Sequence, residues 1–401
     1  LLAHAILQKA SDIHIETFEK EVVVRYRLDG ILHDAMILPK AASAGIIARI
    51  KVLSNLRLDE KRLPQDGRFK IESAEQKVSF RVSILPTYYG EKVVMRLLPE
   101  NSKGLTLEEG GFHGDGLEDV HWAANQATGM LLVTGPTGSG KSTTLYTILE
   151  ILNQPDVNIS TIEDPIEYQM PRVNQTQVKP EIGLTFGSGL RALVRQDPDI
   201  IMVGEIRDQE TANLAVNAAL TGHLVLSTLH TNSAAGTMPR MLDMGVEPFL
   251  LVSTINLIIA QRLVRRLEKS RAEYHLNEVE LKQISDLVDL DRVLEWLKTE
   301  KIIAPNADWS KVPFFRPQPA VESDDGPTRL DGETGYHGRI GIHETLRMSD
   351  TIKELVMKGA TSDQIETQAK KEGMYTMIED GIFKAAQGIT SLEEVLRVVT
   401  E

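Results

Sequence analysis

The stretch 130-MLLVTGPTGSGKSTTLYTIL-149 carries the most specific pattern in the chain. Its centre, 135-GPTGSGKS-142, fits G-x-x-x-x-G-K-[ST] and lies between an apolar run typical of a buried strand and a segment with helical periodicity. Glycines at such positions let backbone N–H groups turn onto phosphate oxygens. The sequence therefore predicts a phosphate-binding loop formed by Gly135, Pro136, Thr137, Gly138, Ser139, Gly140, Lys141, Ser142 and Thr143.

The chemistry of this loop predicts ATP and Mg²⁺ as its ligands. Lys141 can neutralise charge on the β- and γ-phosphates, and the hydroxyl of Ser142 is the expected Mg²⁺ ligand. The positive end of the following helix adds a favourable dipole. The alternative is a flexible Gly-Ser loop without a ligand, and the complete spacing between a strand and a helix disfavours it.

Two acidic stretches that follow later apolar runs supply candidate catalytic carboxylates. Glu205 in 198-PDIIMVGEIRD-208 and Glu163 in 160-STIEDPIEYQ-169 each stand just past a predicted strand, where open α/β sheets bind ligands. A phosphate loop needs one acid for the Mg²⁺ shell and another group to orient the attacking water. We take Glu205 with Ser142 as the Mg²⁺ ligands, but the sequence leaves open which glutamate polarises water. Each also has a structural reading, as a solvated strand-end acid or a turn acid.

Two histidines bracket the apolar run in 221-TGHLVLSTLHTN-232. His230 stands where a sensor of the γ-phosphate would lie, although a histidine at a strand end is also often a hydrogen-bonded structural residue. His223, at the start of the run, is expected to be structural.

The alternation of apolar runs with helical segments predicts the fold class. The runs 130–134, 157–162, 199–205 and 223–230 are nearly continuous in apolar residues and are separated by helical patterns, which is typical of a parallel sheet buried on both faces. We therefore expect an α/β core that carries the phosphate loop. The longest apolar run, 249-FLLVSTINLIIA-260, is expected to be a buried helix.

Composition changes divide the chain further. Residues 1–98 mix predicted strands with one helix, and Asp29-Gly30 is a hairpin-turn signal between two of the strands. From residue 349 onward the pattern is helical only. The predicted organisation is a smaller α+β domain at 1–98, a linker at 99–111, the ATPase core at 112–267, a helical and Pro-rich subdomain at 268–333 and a C-terminal helical region at 334–401.

Composition also narrows the class of protein. With 401 residues, 42% of them hydrophobic, two or three globular domains are expected. The net charge of −13 disfavours nucleic acid as a partner, because phosphate contact requires a basic surface. The chain has no cysteine, so it can form neither disulfides nor Cys-based zinc sites. No run is long enough to span a bilayer and no charged-then-apolar leader is present, so we expect a soluble, cytoplasmic protein. Because it begins Leu1-Leu2 without Met, we expect a fragment lacking its natural N-terminus.

Several motifs in the same order resemble those of the ATPases that power type II secretion and type IV pilus assembly. The stretches 160–167, 198–208 and 221–232 resemble the family's aspartate box, Walker B region and histidine box. Others resemble its second N-terminal, PAS-like domain and its C-terminal end, namely 10-ASDIHIE-16, 25-RYRLDG-30, 62-RLPQDGR-68, 86-PTYYGEKVVMRLL-98, 334-TGYHGRIGIHE-344 and 373-GMYTMIEDGIFKAAQGITSLEEV-395. The resemblance covers nearly everything except about 268–330.

The resemblance implies a RecA-like phosphate-loop ATPase core, four active-site arginines and an assembly. Arg81 and Arg96 match arginines that the first domain places on the nucleotide phosphates, and Arg191 and Arg195 match arginines near the γ-phosphate. Each could instead be a solvent-facing salt-bridge partner. The family works as a homo-hexamer with sites at or near subunit interfaces, and ATP-driven domain rotation about a hinge at 99–111 is the implied motor stroke.

Two departures from the family pattern affect what is expected. Many members carry a tetracysteine zinc site, but the corresponding segments 268–275 and 328–333 contain no cysteine. Because His275 and His337 alone would make a poor site, we expect no zinc and a subdomain held by packing, with Phe314 and Phe315 in its core or, alternatively, on a partner. We also expect the family's first N-terminal domain, which docks on the membrane platform, to be missing from this sequence.

Three functions remain open. The leading one is a magnesium-dependent motor that assembles pilin-like subunits through an inner-membrane platform protein, placing the chain in the cytoplasm at the inner membrane with indirect membrane contact. The second is a pilus-retraction or DNA-uptake motor on the same core. Assembly is favoured over retraction by 62–68 and 373–381, because the family's retraction members generally lack these patterns. The third is a non-catalytic, nucleotide-gated scaffold, which the retained lysine, acids and arginines disfavour.

Overall fold

The computed structural model describes residues 1–72, 77–99, 104–318 and 334–400. The chain divides into two compact units. The first contains residues 1–103, 268–271 and 317–338, and the second contains 104–267, 272–316 and 339–401. Both units mix helices with a sheet, as the predicted fold class requires.

The first unit is built on an antiparallel six-stranded sheet in the order β3-β2-β1-β6-β5-β4. Buried residues alternate with more exposed ones along β2 and β5, and the hairpin predicted at Asp29-Gly30 forms with φ of 47° and 90°. Its elements are α1 Leu2–Leu7, β1 Asp12–Thr17, β2 Glu21–Leu28, β3 Ile31–Pro39, α2 Ala42–Leu53, β4 Gln65–Glu72, β5 Lys77–Thr87 and β6 Gly90–Pro99.

The second unit is built on a seven-stranded sheet in the order β15-β12-β7-β11-β10-β8-β9. The ladders from β12 to β9 are parallel, and β7, β10 and β11 are buried along their whole length. Its first elements are α3 Leu107–Gly110, α4 Gly114–Ala124, β7 Gly129–Thr134, α5 Lys141–Leu152, β8 Ile159–Glu163, β9 Val173–Gln177, α6 Phe186–Leu193, β10 Ile200–Val203, α7 Gln209–Leu220, β11 Leu224–Leu229, α8 Thr237–Asp243, α9 Pro248–Thr254 and β12 Ile255–Leu267.

The remaining elements combine a small two-stranded sheet, the last strand of the large sheet and a set of helices. They are β13 Arg271–Tyr274, α10 Glu278–Ser285, α11 Leu290–Thr299, β14 Phe314–Pro317, β15 Tyr336–Arg347, α12 Asp350–Met357, α13 Ser362–Lys371, α14 Met377–Ala386 and α15 Leu392–Thr400. From 349 to 400 the chain is helical, as predicted. None of the described helices is long and apolar enough to cross a membrane.

The prediction of one buried helix at 249–260 is wrong for its second half. The helix α9 ends at Thr254, and the β-branched run that follows enters β12, parallel to β7. The length of this apolar run favours a helix, but its second half pairs with β7 and therefore forms a strand. The helical region predicted from 334 likewise begins with a strand, β15, next to β12.

The segment between β12 and β15 contains helices α10 and α11, in keeping with the predicted helical subdomain, and one small sheet that the sequence did not predict. Strands β13 and β14 pair, and α11 buries Val293 and Leu297 against Phe314, which is fully buried. Packing therefore holds this segment, and the core role predicted for Phe314 is confirmed. The stretch 328–333 lies outside the described residues.

The predicted linker at 99–111 is partly structured. Thr106 forms a capping box with Glu109 and starts the short helix α3. Residues 100–103 lie outside the described part of the chain.

Candidate nucleotide site

The predicted phosphate loop connects β7 to α5 at the carboxyl end of the parallel sheet. Gly135, Gly138 and Gly140 adopt φ of 145°, 82° and 88°, a region that other residues avoid. A Cβ on Gly135 would lie 2.4 Å from the carbonyl oxygen of Gln261. The loop thus needs glycine both for its conformation and for its close approach to β12.

Lys141 begins α5 and closes over the loop. Its Nζ donates to the carbonyls of Gly135 at 2.8 Å and Pro136 at 3.0 Å. Burial lowers the pKa of Lys141, and the charge of Glu205 opposes that shift. Glu205 therefore acts electrostatically on the lysine that the motif assigns to phosphate binding.

Gln261 on β12 connects the loop to α5, a role that sequence reasoning missed. Its Nε2 donates to the Ser139 carbonyl at 2.6 Å, and its Oε1 accepts from Thr144 Oγ1 at 2.7 Å. Only the pairing of β12 with β7 brings residue 261 to this place, so no local sequence signal marks it.

The loop fits the triphosphate and the Mg²⁺ that the motif implies. Pro136, Thr137 and Gly138 are exposed, as are Ser142 and Thr143 at the helix start. The Oγ of Ser139 is buried without a hydrogen-bond partner among the described residues. Exposed loop residues next to an unpartnered Ser139 hydroxyl suit a phosphate group. The side-chain oxygens of Ser142 and Glu205 are ligands of the kind that Mg²⁺ prefers.

Glu205 follows β10 and is held by two cationic or titratable partners. Its Oε1 lies 2.5 Å from the Nη2 of Arg207, and its Oε2 lies 3.4 Å from the Nε2 of His230. The carboxylate side chain is only 12% exposed. The structure thus brings the predicted acid Glu205 and the predicted sensor His230 together. It also places Arg207 beside them, a residue that the sequence included only as part of the stretch 198–208.

Glu163, the last residue of β8, is enclosed by hydrogen-bond donors. It accepts from the hydroxyl of Tyr146 on α5, from Thr161 Oγ1 at 2.5 Å and from Gln175 Nε2 at 3.2 Å. Burial raises the pKa of Glu163, and these three hydrogen bonds partly oppose the rise. The two candidate glutamates therefore differ in environment, since Glu205 is paired with charge and Glu163 is desolvated.

The loop that carries His230 is attached to the end of β7. Thr134 Oγ1 lies 2.7 Å from Thr231 Oγ1 and accepts from the Thr231 backbone N–H at 2.8 Å. His223 bonds the Ala218 carbonyl through Nδ1 at 2.8 Å, in keeping with its expected structural role. The threonine pair fixes the backbone next to His230 beside the phosphate loop.

Arg191 and Arg195 are exposed on the surface of the second unit. Arg191, on α6, pairs with Glu210 at 2.6 Å, and both side chains are more than half exposed. Arg195 donates to the Arg191 carbonyl at 2.8 Å. An exposed ion pair of this kind contributes little to stability, so Arg191 can exchange its partner at small cost.

Arg81 and Arg96 lie in the first unit, directly opposite each other on β5 and β6. Arg68 on β4 lies opposite Arg81, which places three exposed arginines side by side on one face of the sheet. Arg96 Nε bonds Asp12 Oδ1 at 3.1 Å. Like charges opposite one another destabilise a sheet, so this row favours an anion on that face. The sequence did not single out Arg68, because strand register rather than spacing aligns it with Arg81 and Arg96.

A phosphate loop on a parallel sheet, with an acid and a histidine beyond neighbouring strands, defines a phosphate-loop α/β protein. The family model described as "Type II/IV secretion system protein" matches residues 1–397, and the chain belongs to this family. The chain is 47% identical over 402 aligned positions to the type II secretion system protein E of Xanthomonas campestris pv. campestris. It is 44% identical over 397 positions to the type IV pilus assembly ATPase PilB of Myxococcus xanthus. These alignments cover 100% and 99% of the chain but 66% of each relative, so the chain spans about two thirds of their length.

Solved structures agree in fold. The ATPase DotB of Legionella pneumophila aligns with a TM-score of 0.67 at 22% identity, covering 100% of this chain and 94% of DotB. The pilus retraction motor PilT with bound ADP aligns with a TM-score of 0.62 at 25% identity, covering 99% of this chain and 95% of PilT. The predicted family and fold class are thus confirmed.

Proposed function

We propose that this chain hydrolyses ATP and uses the energy to rotate one domain against another, driving assembly of pilin-like subunits. The observation that carries the proposal is the phosphate loop, in which Gln261 supports the backbone and Glu205 acts on Lys141. A loop of this kind binds phosphates, and the Glu205 carboxylate acts on the lysine that contacts them. The similarity to a secretion protein and to a pilus assembly ATPase supports the use of that energy for moving protein.

The environments of the two glutamates favour different roles. A general base works best with its pKa raised toward the working pH, and burial raises the pKa of Glu163. Glu205, by contrast, lies next to Arg207 and His230 after β10 and offers carboxylate oxygens, which Mg²⁺ prefers as ligands. We assign water activation to Glu163 and the Mg²⁺ shell to Glu205 with Ser142. Mg²⁺, when bound there, would neutralise charge on the phosphates.

The arginines complete the site in a hexamer. Arg81 and Arg96 from the first unit, with Arg191 and Arg195 from the second, supply the positive charge that phosphoryl transfer requires. His230 contacts Glu205 and senses whether the γ-phosphate is present, and the loop after β11 responds to that change. Rotation about 99–111 then converts hydrolysis into movement of an inner-membrane platform protein, with the motor on the cytoplasmic side.

A retraction or DNA-translocating motor on the same core is the second candidate. The identity of 44% to an assembly ATPase, against 25% to the retraction motor, favours assembly. The net charge of −13 disfavours nucleic acid.

The deciding experiment measures the Mg²⁺-dependent ATPase rate per chain against protein concentration, with light scattering on the same samples. We expect a rate that rises steeply as hexamers appear, and no rate in Lys141→Ala at any concentration. A rate already maximal in monomers would reject the shared site. Stimulation by DNA would favour the second candidate. If a Glu163→Gln chain binds ATP, hydrolyses none and still supports assembly of pilin-like subunits, the non-catalytic scaffold would be favoured.

A further inference from the structure

One buried carboxyl of the second unit has no place in the nucleotide site. Glu344 lies on strand β15 and is 4% exposed. Alternate residues of a strand share one face, and the neighbours of Glu344 on its face, Ile342 and Leu346, belong to the apolar core. The nearby charges of Glu366 and Lys370 pair with each other at 2.7 Å. Glu344 therefore has no counter-ion of its own among the described residues.

The contacts of this carboxyl are with backbone groups of two other segments. Its Oε1 accepts from the Ala234 N–H at 2.5 Å. The N–H of Met377, the first residue of α14, opposes the rise in the pKa of Glu344 that burial causes. A buried carboxyl costs free energy that an apolar side chain of similar size would not. What Glu344 contributes in exchange is a polar connection between the loop after β11 and the start of α14.

The loop 230–236, which joins β11 to α8, begins at the candidate nucleotide site. Its first residue, His230, lies 3.4 Å from Glu205. The threonine pair at the end of β7 fixes this loop at its start, and the hydrogen bond from Ala234 to Glu344 fixes it near its middle. Strands β12 and β7 lie between β15 and β11 in the sheet. The Glu344 side chain, and not a strand ladder, therefore connects β15 to the loop.

The geometry points to Glu344 as a positioning residue for ATP hydrolysis, which holds the loop 230–236 so that His230 stays beside Glu205. Glu344 acts through His230 and not on the reacting atoms. Through Met377 it also connects this loop to the C-terminal helices. The inference rests on the proposed function, because it concerns how the loop responds to the γ-phosphate.

The test compares the affinity of the whole chain for ADP with its affinity for the non-hydrolysable analogue AMP-PNP, both with Mg²⁺. Because only the analogue carries a γ-phosphate group, the ratio of the two affinities reports on the loop 230–236 and requires no turnover. Glu344→Leu and Glu344→Ala replace the carboxyl with apolar groups of two sizes. We expect each to weaken AMP-PNP binding about tenfold and to leave ADP binding unchanged.

The conservative variant should restore the wild-type behaviour. Glu344→Gln keeps an oxygen that can accept from the Ala234 N–H, so its affinity ratio should stay within about twofold of the wild-type ratio. An unchanged ratio in both apolar variants would overturn the proposal. A ratio altered as much in Glu344→Gln as in the apolar variants would overturn it too.

Two further variants separate positioning from stability. Ile342→Ala makes a cavity in the same core, so it should lower the urea midpoint without changing the affinity ratio. In a His230→Ala background, Glu344→Leu should have no further effect on the ratio, because the side chain through which it acts is absent. A full effect of Glu344→Leu in that background, or an equal effect of Ile342→Ala, would reject the positioning role.

The affinity ratio also keeps this inference distinguishable from the proposed function. A wild-type chain that binds AMP-PNP but shows no Mg²⁺-dependent ATPase rate would reject the proposed function. The ratio measured on the same chain would still decide whether Glu344 positions the loop 230–236.

Discussion

Gln261 Nε2 donates to the carbonyl of Ser139 at 2.6 Å, so a residue of strand β12 sets the shape of the phosphate loop. The same side chain accepts from Thr144 on α5. Loop and helix are therefore held together from one point outside the motif.

Removing this support should loosen nucleotide binding. We expect Gln261→Ala to weaken ATP binding by about 5- to 30-fold, because two buried hydrogen bonds of about 1 kcal/mol each are lost. Titration with a fluorescent ATP analogue measures it. Gln154→Ala, at an exposed position just after α5, is the matched control and should bind as the wild type does. Unchanged affinity in Gln261→Ala would mean that the loop keeps its shape without β12.

Substitution of Glu205 or Glu163 should lower the ATP hydrolysis rate in both cases but change its Mg²⁺ dependence in only one. We expect Glu205→Gln to bind ATP, to lose hydrolysis by about 10²-fold or more, and to need more Mg²⁺ for its residual rate. Glu163→Gln should lose hydrolysis without a change in Mg²⁺ dependence. Tyr146→Phe removes a hydrogen bond that lowers the pKa of Glu163, so the acidic limb of its pH–rate profile should move to higher pH. A Mg²⁺ shift in Glu163→Gln instead of Glu205→Gln would reverse the two assignments.

Exposed arginines should act between subunits. Arg195→Ala and Lys141→Ala should each be inactive alone, and mixing the two proteins should give a rate above the sum of the separate rates. Some sites in mixed hexamers then combine an intact loop with an intact arginine. Mixing Lys141→Ala with Gln261→Ala, which both damage the loop, is the control for simple stabilisation of the hexamer. No recovery at any mixing ratio would place the whole site within one chain.

Glu344 on β15 should make stability depend on pH. Burial raises its pKa to about 7, even though it accepts a hydrogen bond from the Ala234 N–H at 2.5 Å. The charge of Glu366 raises this pKa further, and that of Lys370 lowers it. The folded chain thus binds one more proton than the unfolded chain between the ordinary pKa of 4.5 and about 7.

The stabilising contribution of Glu344 is complete below pH 4.5 and is lost as pH rises to about 7. Up to about 3 kcal/mol of unfolding free energy is involved. Glu344→Gln keeps the acceptor for Ala234 and removes the proton, so urea midpoints of this variant should fall less across that window than those of the wild type. Parallel curves for the two proteins would show that Glu344 titrates normally.

The buried pair Asp380 and Lys384 on α14 should be a stability determinant. Asp380 accepts from Lys384 Nζ at 2.5 Å, from the His343 N–H at 2.7 Å and lies 2.7 Å from His113 Nε2. Burial would raise the pKa of Asp380, but the charge of Lys384 and the hydrogen bond and charge of His113 together overcome this and lower the pKa to about 2. We expect Asp380→Asn to cost about 3–5 kcal/mol, because Lys384 then stays buried without its counter-ion.

Urea unfolding measures the cost, and Glu354→Gln is the control. Glu354 forms an exposed pair with Lys358 at the same i,i+4 spacing, so its loss should cost less than about 1 kcal/mol. Equal effects of the two variants would show that burial of the pair is unimportant.

The parts of this protein that the sequence determined by itself are those with local causes. The loop 135–142 is defined by glycines at fixed spacing, the turn at Asp29-Gly30 by residues that accept positive φ, and the strands of the core by continuous apolar runs. The sequence predicted Glu205 and His230 as site residues for the same reason, because each stands directly after such a run.

Tertiary structure decided what depends on partners far along the chain. The run 255–260 became a strand because β7 lies beside it, and this pairing carries Gln261 to the phosphate loop. Register across β4, β5 and β6 aligned Arg68 with Arg81 and Arg96. Burial next to Tyr146 raised the pKa of Glu163, whereas Glu205 is paired with the charge of Arg207. Such contacts join residues from fewer than twenty to more than a hundred positions apart. The energetic reason for each lies in strand pairing and desolvation, which local sequence patterns do not record.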